Sequence, residues 1–262
     1  MTAPAEAGLG GAPPFGPDPA QGRVFTAVRA VRSTDVTPEG WLRLDALARY
    51  LQEAAEDDLA DADGQDSHVW LVRRVELAVR GYPRRGEPLR LRTFCSATGP
   101  RWAERTTTVK AAGRDLIQAR AVWAAIGRGD GRPVPLGAAF HRVYSISAEG
   151  RTVSARLSLP GPPGPEPGRA WPLRAADFDM AGHVNNSIHW AAVEDALTEA
   201  GWRPARAELE YNRAILPGRS PRLVTAAEPG RLRCWLLDGD QRLASASLAA
   251  AGAPRPARSA GS

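Results

Sequence analysis

The stretch Asp177-Phe-Asp-Met-Ala-Gly-His-Val-Asn-Asn-Ser-Ile-His-Trp190 leads from a loop into a helix. Its first part is rich in Asp, Gly and Asn, which are typical of turns. Apolar residues then recur every four positions, which predicts a helix from about His183 to Ala200 with one stripe: Val184, Ile188, Ala192, Ala196 and Ala200. Such a helix must bury its stripe, so the pattern also predicts a sheet that covers it.

Runs rich in apolar and β-branched residues surround this helix and predict the strands of that sheet. The second half of the chain opens at Ala170 to Leu173 and continues after the helix with runs at about 206–214, 221–227, 231–238 and 241–250. The first half follows the same plan. It has a strand-like run at 24–31, a helix that includes Leu44 and Leu47, and further runs at about 69–80, 88–97, 102–110 and 116–126.

A faint internal repeat supports a duplicated unit. Glu76-Leu77 followed by Arg90-Leu91 recurs as Glu208-Leu209 followed by Arg222-Leu223, with the same separation. The duplication predicts an α+β fold of two tandem units, each an antiparallel sheet wrapped around a long central helix. The two sheets can pair side by side, because each then covers an edge strand of the other.

Proline and glycine mark the boundaries of these units. Residues 1–21 and 252–262 have little to bury, so we expect both segments to be disordered. Residues 128–168 contain Leu159-Pro-Gly-Pro-Pro-Gly and are interpreted as a linker. The folded units are therefore expected at 22–127 and 169–251.

The composition narrows the class of protein. Hydrophobic residues make up 43% of the chain and charged residues 24%, which is typical of a soluble globular protein. No apolar run approaches the roughly 20 residues of a membrane helix, and no export signal is recognisable, so we expect a cytoplasmic protein. The net charge of +5 comes from dispersed arginines, which does not indicate nucleic-acid binding. Cys95 and Cys234 are far apart without zinc-type spacing, so we expect no disulfide, no metal and no cofactor.

The loop before the second helix carries the chemistry. Two carboxylates, Asp177 and Asp179, precede His183 and the pair Asn185 and Asn186. Amides in the first turn of a helix lack intrahelical partners and can hold an oxyanion, while a carboxylate can deprotonate water or attack a thioester. Capping of the helix by Asp explains the same residues equally well on physical grounds alone.

The stretch resembles the DxDxxGHVNN signature of hotdog-fold thioesterases, here Asp177 to Asn186. Over nearly all of 22–250 the chain is similar to the acyl-ACP thioesterases of plants and bacteria, with further matches at Gly81-Tyr-Pro-Arg-Arg-Gly-Glu, Trp102-Ala-Glu-Arg and Ala207-Glu-Leu-Glu-Tyr-Asn-Arg. The resemblance implies two tandem hotdog domains and hydrolysis of an acyl-ACP or acyl-CoA thioester. It implies that Asp179 and His183 are catalytic and that Asn185 and Asn186 shape the site.

The sequence departs from that family at two places. Acyl-ACP thioesterases usually carry Asn where this chain has Ala181, and often an acidic residue or Cys where it has Ala214-Ile215. The order Asp-Met-Ala-Gly also resembles the Asp-Pro-Ala-Gly segment of hydroxybenzoyl-CoA thioesterases. The working hypothesis is that Asp179 acts as nucleophile or general base, that helix-start amides polarise the carbonyl, and that His183 orients water or Asp179.

Other residues are assigned by position. The resemblance implies that the N-terminal hotdog binds the acyl chain, and candidate wall residues on its helix are Leu47, Tyr50, Leu51 and Ala54, although core packing explains them equally well. Glu210 and Tyr211 are neighbours on a strand, so at most one of them faces the site. His189, Trp190 and Trp202 are interpreted as structural residues.

Two competing functions remain at this point. A non-hydrolytic acyl-binding module would fit the alanines at 181 and 214, and a hotdog dehydratase would use a His and an acid from different hotdogs. Asp179 and His183 share one loop, which favours hydrolysis. An arginine-rich surface would suit an acidic carrier protein. The sequence leaves a homodimer open and indicates neither nucleic acid nor membrane as a partner.

Overall fold

The computed structural model describes residue 15 and residues 17–62, 68–164 and 168–253. Within these ranges the chain forms three α-helices and ten strands: β1 Phe25–Ala30, α1 Leu44–Asp61, β2 His68–Val79, β3 Pro88–Thr98, β4 Trp102–Ala111, β5 Arg114–Gly127, α2 Ala138–Ala148, β6 Arg169–Ala170, α3 Asn186–Ala200, β7 Arg206–Tyr211, β8 Arg222–Glu228, β9 Arg231–Asp238 and β10 Gln241–Ala249. The segments 1–14, 16 and 254–262, for which the sequence predicts disorder, lie outside the described residues.

The strands form a single antiparallel sheet in the order β1-β3-β4-β5-β2-β7-β10-β9-β8-β6. The two halves meet where β2 pairs with β7, with Val75 opposite Leu209 and Glu76 opposite Glu208. The dipeptides Glu76-Leu77 and Glu208-Leu209 of the internal repeat therefore lie directly at the junction. Side-by-side pairing of the two predicted sheets is confirmed, and it removes one exposed edge from each half.

Both long helices pack on one continuous apolar core. Residues that alternate along β2, such as Val75 and Leu77, share this core with Leu47 of α1 and Trp190 of α3. The intervening Arg74 and Glu76 point to the opposite face of the sheet, as the two-residue period of a strand requires. The predicted α+β architecture of two sheets wrapped around helices is confirmed.

The loop that precedes each long helix has the same backbone hydrogen bonds in both halves. In the second half the amide of Asp179 donates to the carbonyl of His183, and the amide of Gly182 donates back to the carbonyl of Asp179, both at 2.9 Å. In the first half Thr37 and Trp41 occupy the positions of Asp179 and His183, with the corresponding bonds at 2.8 Å. Gly182 has a φ of +73°, in the left-handed region that favours glycine.

This hairpin corrects one predicted boundary. Helix α3 begins at Asn186, and His183 and Val184 lie before it, where Val184 forms a bridge with Phe178. The apolar stripe begins before the helix, because the hairpin and not the helix buries Val184. Periodicity detects the buried side of a segment, and it does not show where helical geometry begins.

The segment 128–168, expected to be a linker, contains helix α2. Buried residues recur every four positions, at Leu136 just before this helix and at Phe140, Tyr144 and Ala148 within it. They pack against Cys95 of β3, Ala103 of β4 and Ala125 of β5. The helical period was present in the sequence, but the flanking prolines and glycines obscured it.

Residues 151–159 of the same segment are also held against the sheet. The indole of Trp102 donates to the carbonyl of Val153 at 2.7 Å. The buried carboxylate of Glu210 accepts the amides of Ser158 at 2.5 Å and Leu159 at 3.0 Å. Residues 151–159 therefore form a fixed cover on the outer face of the junction. In the described part of the chain, no helix is long and apolar enough to cross a membrane.

Candidate active site

Asp177 and Asp179 have different roles in the loop. The carboxylate of Asp177 is buried and accepts the backbone amide of Arg174 at 2.8 Å and its guanidinium at 2.8 Å. The carbonyl of Asp177 accepts the amide of Asn185 at 2.8 Å. Asp177 therefore fixes the loop and caps the short 3-10 turn Ala175–Asp177. The N-cap of α3 is Asn185, so the interpretation of Asp177 or Asp179 as a cap of that helix is wrong, and Asp179 is available for chemistry.

The carboxylate of Asp179 is half-buried and points into a cavity. Its Oδ1 accepts the amide of Ala181 at 2.9 Å, and its Oδ2 accepts the side-chain Nδ2 of Asn185 at 3.4 Å. These two donors fix the orientation of the carboxylate. Each oxygen retains a lone pair for a substrate or a water molecule.

Asn185 is the N-cap of α3. Its Oδ1 accepts the amide of Ser187 at 3.0 Å, while its Nδ2 donates to Asp179. Among the described residues, the backbone amides of Asn185, Ser187 and Ile188 each donate to an acceptor, whereas the backbone amide of Asn186 has none. That amide lies at the positive end of the helix dipole and borders the cavity, where it can stabilise a developing oxyanion.

The cavity has a volume of about 780 Å³ and is formed by both halves of the chain. Asp179, His183 and Asn186 line it together with a wall of residues from α1, β2 and α2. Apolar and aromatic side chains dominate that wall, including Ala55, Leu59, Trp70, Phe140 and Tyr144. A long apolar chain with one reactive carbonyl therefore fits this combination of surfaces.

The wall residues predicted on α1 have other positions. Leu47, Tyr50 and Ala54 belong to the buried core, and the hydroxyl of Tyr50 donates to Asp35 at 2.6 Å. Leu51 borders a small neighbouring pocket of about 30 Å³. The side of α1 that borders the cavity instead carries Gln52, Ala55, Glu56 and Leu59. The strongest helical periodicity identified the face that packs on the sheet, whereas the cavity lies along the flank of the helix.

Gln52 connects the two halves at the site. Its Oε1 accepts the side-chain Nδ2 of Asn186 at 3.4 Å, and its own amide donates to Glu56 at 3.0 Å. The sequence analysis missed Gln52 because a polar residue on the flank of an amphipathic helix is usually solvated. Only the packing of α1 against α3 brings it to Asn186.

The positions at which the chain departs from the resembling family also face the cavity. Ala181 and Ala214 are exposed and line it, whereas the Ile215 side chain is fully buried. The carbonyl of Ile215 accepts the amide of Val184 at 2.9 Å and supports the loop. The cavity therefore has methyl groups at the two places where the resemblance implies an amide and an acidic residue or cysteine.

The neighbouring strand residues Glu210 and Tyr211 point to opposite faces of the sheet, as the two-residue period predicts. The hydroxyl of Tyr211 donates to the carbonyl of Asn186 at 3.2 Å and accepts the indole of Trp190 at 3.1 Å. Glu210 points to the opposite face of the sheet, where it holds residues 158 and 159. Tyr211 thus supports the start of α3, and Trp202 packs against the main core.

His189 borders the cavity and is 4% exposed. Its Nδ1 lies 3.3 Å from the carbonyl of Asn185, and its ring makes an edge contact with Tyr211 at 5.0 Å between centroids. Burial lowers the pKa of His189 to about 4, so the ring is neutral near pH 7. The sequence analysis interpreted His189 as structural. Its spacing of three from Asn186 and four from Asn185 is the signal that places it on their face of the helix.

This burial predicts a pH-dependent stability. The folded-state pKa of His189 lies below the ordinary value of 6.5, so the unfolded chain takes up the proton first as the pH falls. Stability is therefore complete above about pH 6.5 and is lost toward pH 4, by roughly 3 kcal/mol from this group. Urea unfolding of the wild type and His189→Phe across this range should give a shallower profile for the variant. Parallel profiles would contradict the expected protonation.

The two cysteine thiols are not candidates for a nucleophile. Burial raises the pKa of Cys95 to about 11 and that of Cys234 to about 12, so both stay protonated near neutral pH. Within the described residues, no cluster of three or more His, Cys, Asp or Glu side chains is arranged to hold a metal ion.

Two family models match the chain. The acyl-ACP thioesterase N-terminal domain matches residues 22–143, and the acyl-ACP thioesterase C-terminal domain matches residues 168–234. The first match continues beyond residue 127 into α2. An uncharacterized protein of Mycobacterium tuberculosis is 28% identical over 233 residues, which cover 88% of this chain and 93% of that protein.

Solved structures share the architecture. A 12:0-ACP thioesterase from Umbellularia californica matches 86% of this chain and 96% of its own, with a TM-score of 0.71 and 20% identity. An acyl-ACP thioesterase from Bacteroides thetaiotaomicron matches 86% of this chain and 97% of its own, with a TM-score of 0.74 and 16% identity. These likenesses show the fold, which is a double hotdog.

Proposed function

Because this chain belongs to the acyl-ACP thioesterase family, we propose that it hydrolyses acyl thioesters at Asp179 and releases a free acid and a carrier thiol. One observation carries the proposal. The carboxylate of Asp179 is held by Ala181 and Asn185 at the edge of a largely apolar cavity, beside the first turn of α3. The geometry matches a carbonyl bound next to a base, with its chain in the cavity.

In the proposed reaction Asp179 acts as a general base. It takes a proton from a water molecule while the water oxygen forms a bond to the thioester carbon, and the carbonyl becomes an oxyanion. The amide of Asn186 faces this charge. The C–S bond then breaks, and the proton passes to the leaving sulfur, which gives one acid and one thiol. His183 borders the same space and orients the water or Asp179.

Direct attack by Asp179 on the carbonyl is the alternative first step. It would form a mixed anhydride and expel the thiol, after which water would hydrolyse the anhydride. Hydrolysis in ¹⁸O-labelled water under single-turnover conditions detects the anhydride when water attacks its aspartyl carbon. Water attack at the thioester puts no label into Asp179, whereas attack of water on the aspartyl carbon of an anhydride would.

The carrier in this proposal is acyl carrier protein, and the reaction is a step of cytoplasmic fatty acid biosynthesis. Support comes from the family and from the four arginines that border the cavity, because an acidic carrier would meet them favourably: Arg73, Arg105, Arg128 and Arg213. The N-terminal hotdog and α2 receive the acyl chain, since Leu59, Phe140 and Tyr144 form the apolar wall.

A non-hydrolytic acyl-binding protein is the second candidate. The observation that favours it is the pair of methyl groups at Ala181 and Ala214, both open to the cavity. A site that has lost two polar groups can still bind an acyl chain through the apolar wall.

Thiol release from matched acyl-ACP and acyl-CoA series tests the two candidates. We expect release with saturable kinetics and a higher kcat/KM for the ACP thioesters. The same kcat/KM for CoA thioesters would contradict the proposed carrier. Acyl binding without release from any member of either series would contradict hydrolysis and would establish the binding protein.

A further inference from the structure

Gln52 and Glu194 occupy equivalent positions on the two long helices. The loops before α1 and α3 have matching backbone hydrogen bonds, so the first residues of these helices, Leu44 and Asn186, correspond to each other. Gln52 is the ninth residue of α1, and Glu194 is the ninth residue of α3. Each side chain reaches across to the first residue of the other helix, where it makes a hydrogen bond.

In the first half of the chain, this side chain occupies the start of the helix. Oε1 of Glu194 accepts the backbone amide of Leu44 at 2.6 Å, and Glu194 is buried. Its other oxygen lies 3.9 Å from the guanidinium of Arg203. A carboxylate oxygen therefore sits on the first amide of α1, which is the place that an oxyanion takes at the start of a helix in a reactive centre.

In the second half, Gln52 leaves the corresponding amide available to a substrate. The backbone amide of Asn186 donates to no acceptor among the described residues. Oε1 of Gln52 instead accepts the side-chain Nδ2 of Asn186 at 3.4 Å. A substrate oxygen that accepts the Asn186 amide would take the place that the Glu194 oxygen takes in the first half. It would therefore lie beside the end of the Gln52 side chain.

The side-chain amide of Gln52 is suited to donate to such an oxygen. Gln52 is half-buried and Glu56 is exposed, and both border the cavity. The nitrogen of Gln52 has two N–H groups, of which one donates to Glu56 at 3.0 Å and the other remains. A carboxylate at this position, as in Glu194, has no hydrogen to donate and would repel a developing negative charge. The residue type at position 52 thus fits an oxyanion, whereas that at position 194 does not.

We propose that Gln52 is a further catalytic residue, whose Nε2 donates a hydrogen bond to the oxyanion beside the backbone amide of Asn186. The proposal rests on the proposed hydrolysis at Asp179 and deepens it. Two donors at one oxygen form an oxyanion hole, which stabilises the transition state more than the bound thioester. The first half of the chain then contributes a group to the reacting atoms, and the reactive centre requires both hotdogs.

Gln52→Met tests the donor, because methionine has a similar length and no N–H group in its side chain. We expect kcat for thioester hydrolysis to fall roughly a hundredfold, the usual cost of one oxyanion donor, while KM changes little. Gln52→Glu should lower kcat at least as much, since its carboxylate would occupy the Asn186 amide as Glu194 occupies that of the other helix. Gln241→Glu adds the same charge at an exposed position of β10 and should keep the wild-type kcat.

Binding of two analogues decides the inference without turnover. Both are prepared on the phosphopantetheine arm of acyl carrier protein. In the ketone analogue a methylene group replaces the thioester sulfur, and in the thioether analogue a methylene group replaces the carbonyl, so only the ketone offers an acceptor oxygen. The wild type should bind the ketone more tightly. Gln52→Met should lower the ratio of the two affinities roughly fivefold, the value of one neutral hydrogen bond.

Two results would overturn the inference. One is a wild-type kcat in Gln52→Met. The other is an unchanged ratio of the two affinities in this variant, because an equal loss of ketone and thioether binding would mean that Gln52 only supports the packing of α1 on α3. If the wild type hydrolyses no thioester, the proposed function fails, and the ratio of affinities still decides whether Gln52 donates to the carbonyl oxygen. Circular dichroism confirms that each variant is folded.

Discussion

Asp179→Asn should lower kcat for thioester hydrolysis by about a thousandfold, within the range for loss of a general base. Asparagine has the same shape as aspartate, and its Oδ1 can still accept the amide of Ala181. It cannot take a proton from water or attack a carbonyl as an anion. The thermal unfolding temperature should therefore change little while thiol release is lost.

Two further variants separate catalysis from loop structure. Asp195→Asn removes a carboxylate from an exposed position of α3 and should leave turnover unchanged. Asp177→Asn should lower the unfolding temperature, because it weakens the hydrogen bonds that the buried Asp177 carboxylate accepts from the backbone amide and the exposed guanidinium of Arg174, each at 2.8 Å. If Asp179→Asn retained the wild-type kcat, Asp179 would be only a loop residue and the proposed reaction would be wrong.

Asp58→Ala should lower the free energy of unfolding by about 3–5 kcal/mol, the usual cost of removing one partner from a buried ion pair. The side chain of Asp58 is 1% exposed, and it accepts Arg23 and Arg105, each at 2.6 Å. Its removal leaves two cations at partly buried positions without their shared anion. Urea unfolding monitored by tryptophan fluorescence measures the difference.

The neighbouring Asp57 provides a matched control. Its side chain is 48% exposed and pairs with Arg29 on the surface of α1 at 2.5 Å. Surface pairs contribute at most about 1 kcal/mol, so Asp57→Ala should be close to the wild type. Equal losses in the two variants would show that burial of Asp58 does not determine its contribution. Arg105 also borders the cavity, so Asp58→Ala should alter substrate binding as well.

Local patterns were sufficient to predict most of the sheet. Strand-like runs at 69–80 and 231–238 agree with β2 and β9 within a residue or two, because runs rich in apolar and β-branched residues favour strands. The pairing of the halves was also predictable, since each half needed to cover an edge. The sequence did not predict where α3 begins, because part of its apolar stripe lies in a hairpin. It did not predict α2 either, because prolines and glycines flank that periodic pattern.

The candidate site was predictable only where its residues are neighbours in sequence. A single stretch identified Asp179, His183, Asn185 and Asn186 together. The structure brings three of them to one cavity and makes the fourth, Asn185, the N-cap of α3. Gln52 and Phe140 come from elements that lie far away in the chain, so no local pattern connects them to Asp179. His189 carries its signal in the helical period, which places it on the same face of α3 as Asn185 and Asn186.

The shared loop backbone of the two halves has a consequence for stoichiometry. Both hairpins have matching backbone hydrogen bonds, yet one bears Asp179 and His183 whereas the other bears Thr37 and Trp41. The indole of Trp41 is covered by the guanidinium of Arg84, 3.7 Å from the ring centroid. A symmetric pair of hotdogs would offer two equivalent reactive centres, but the duplicated halves here have diverged. Each polypeptide should therefore titrate with a single equivalent of an acyl-thioester analogue directed at Asp179.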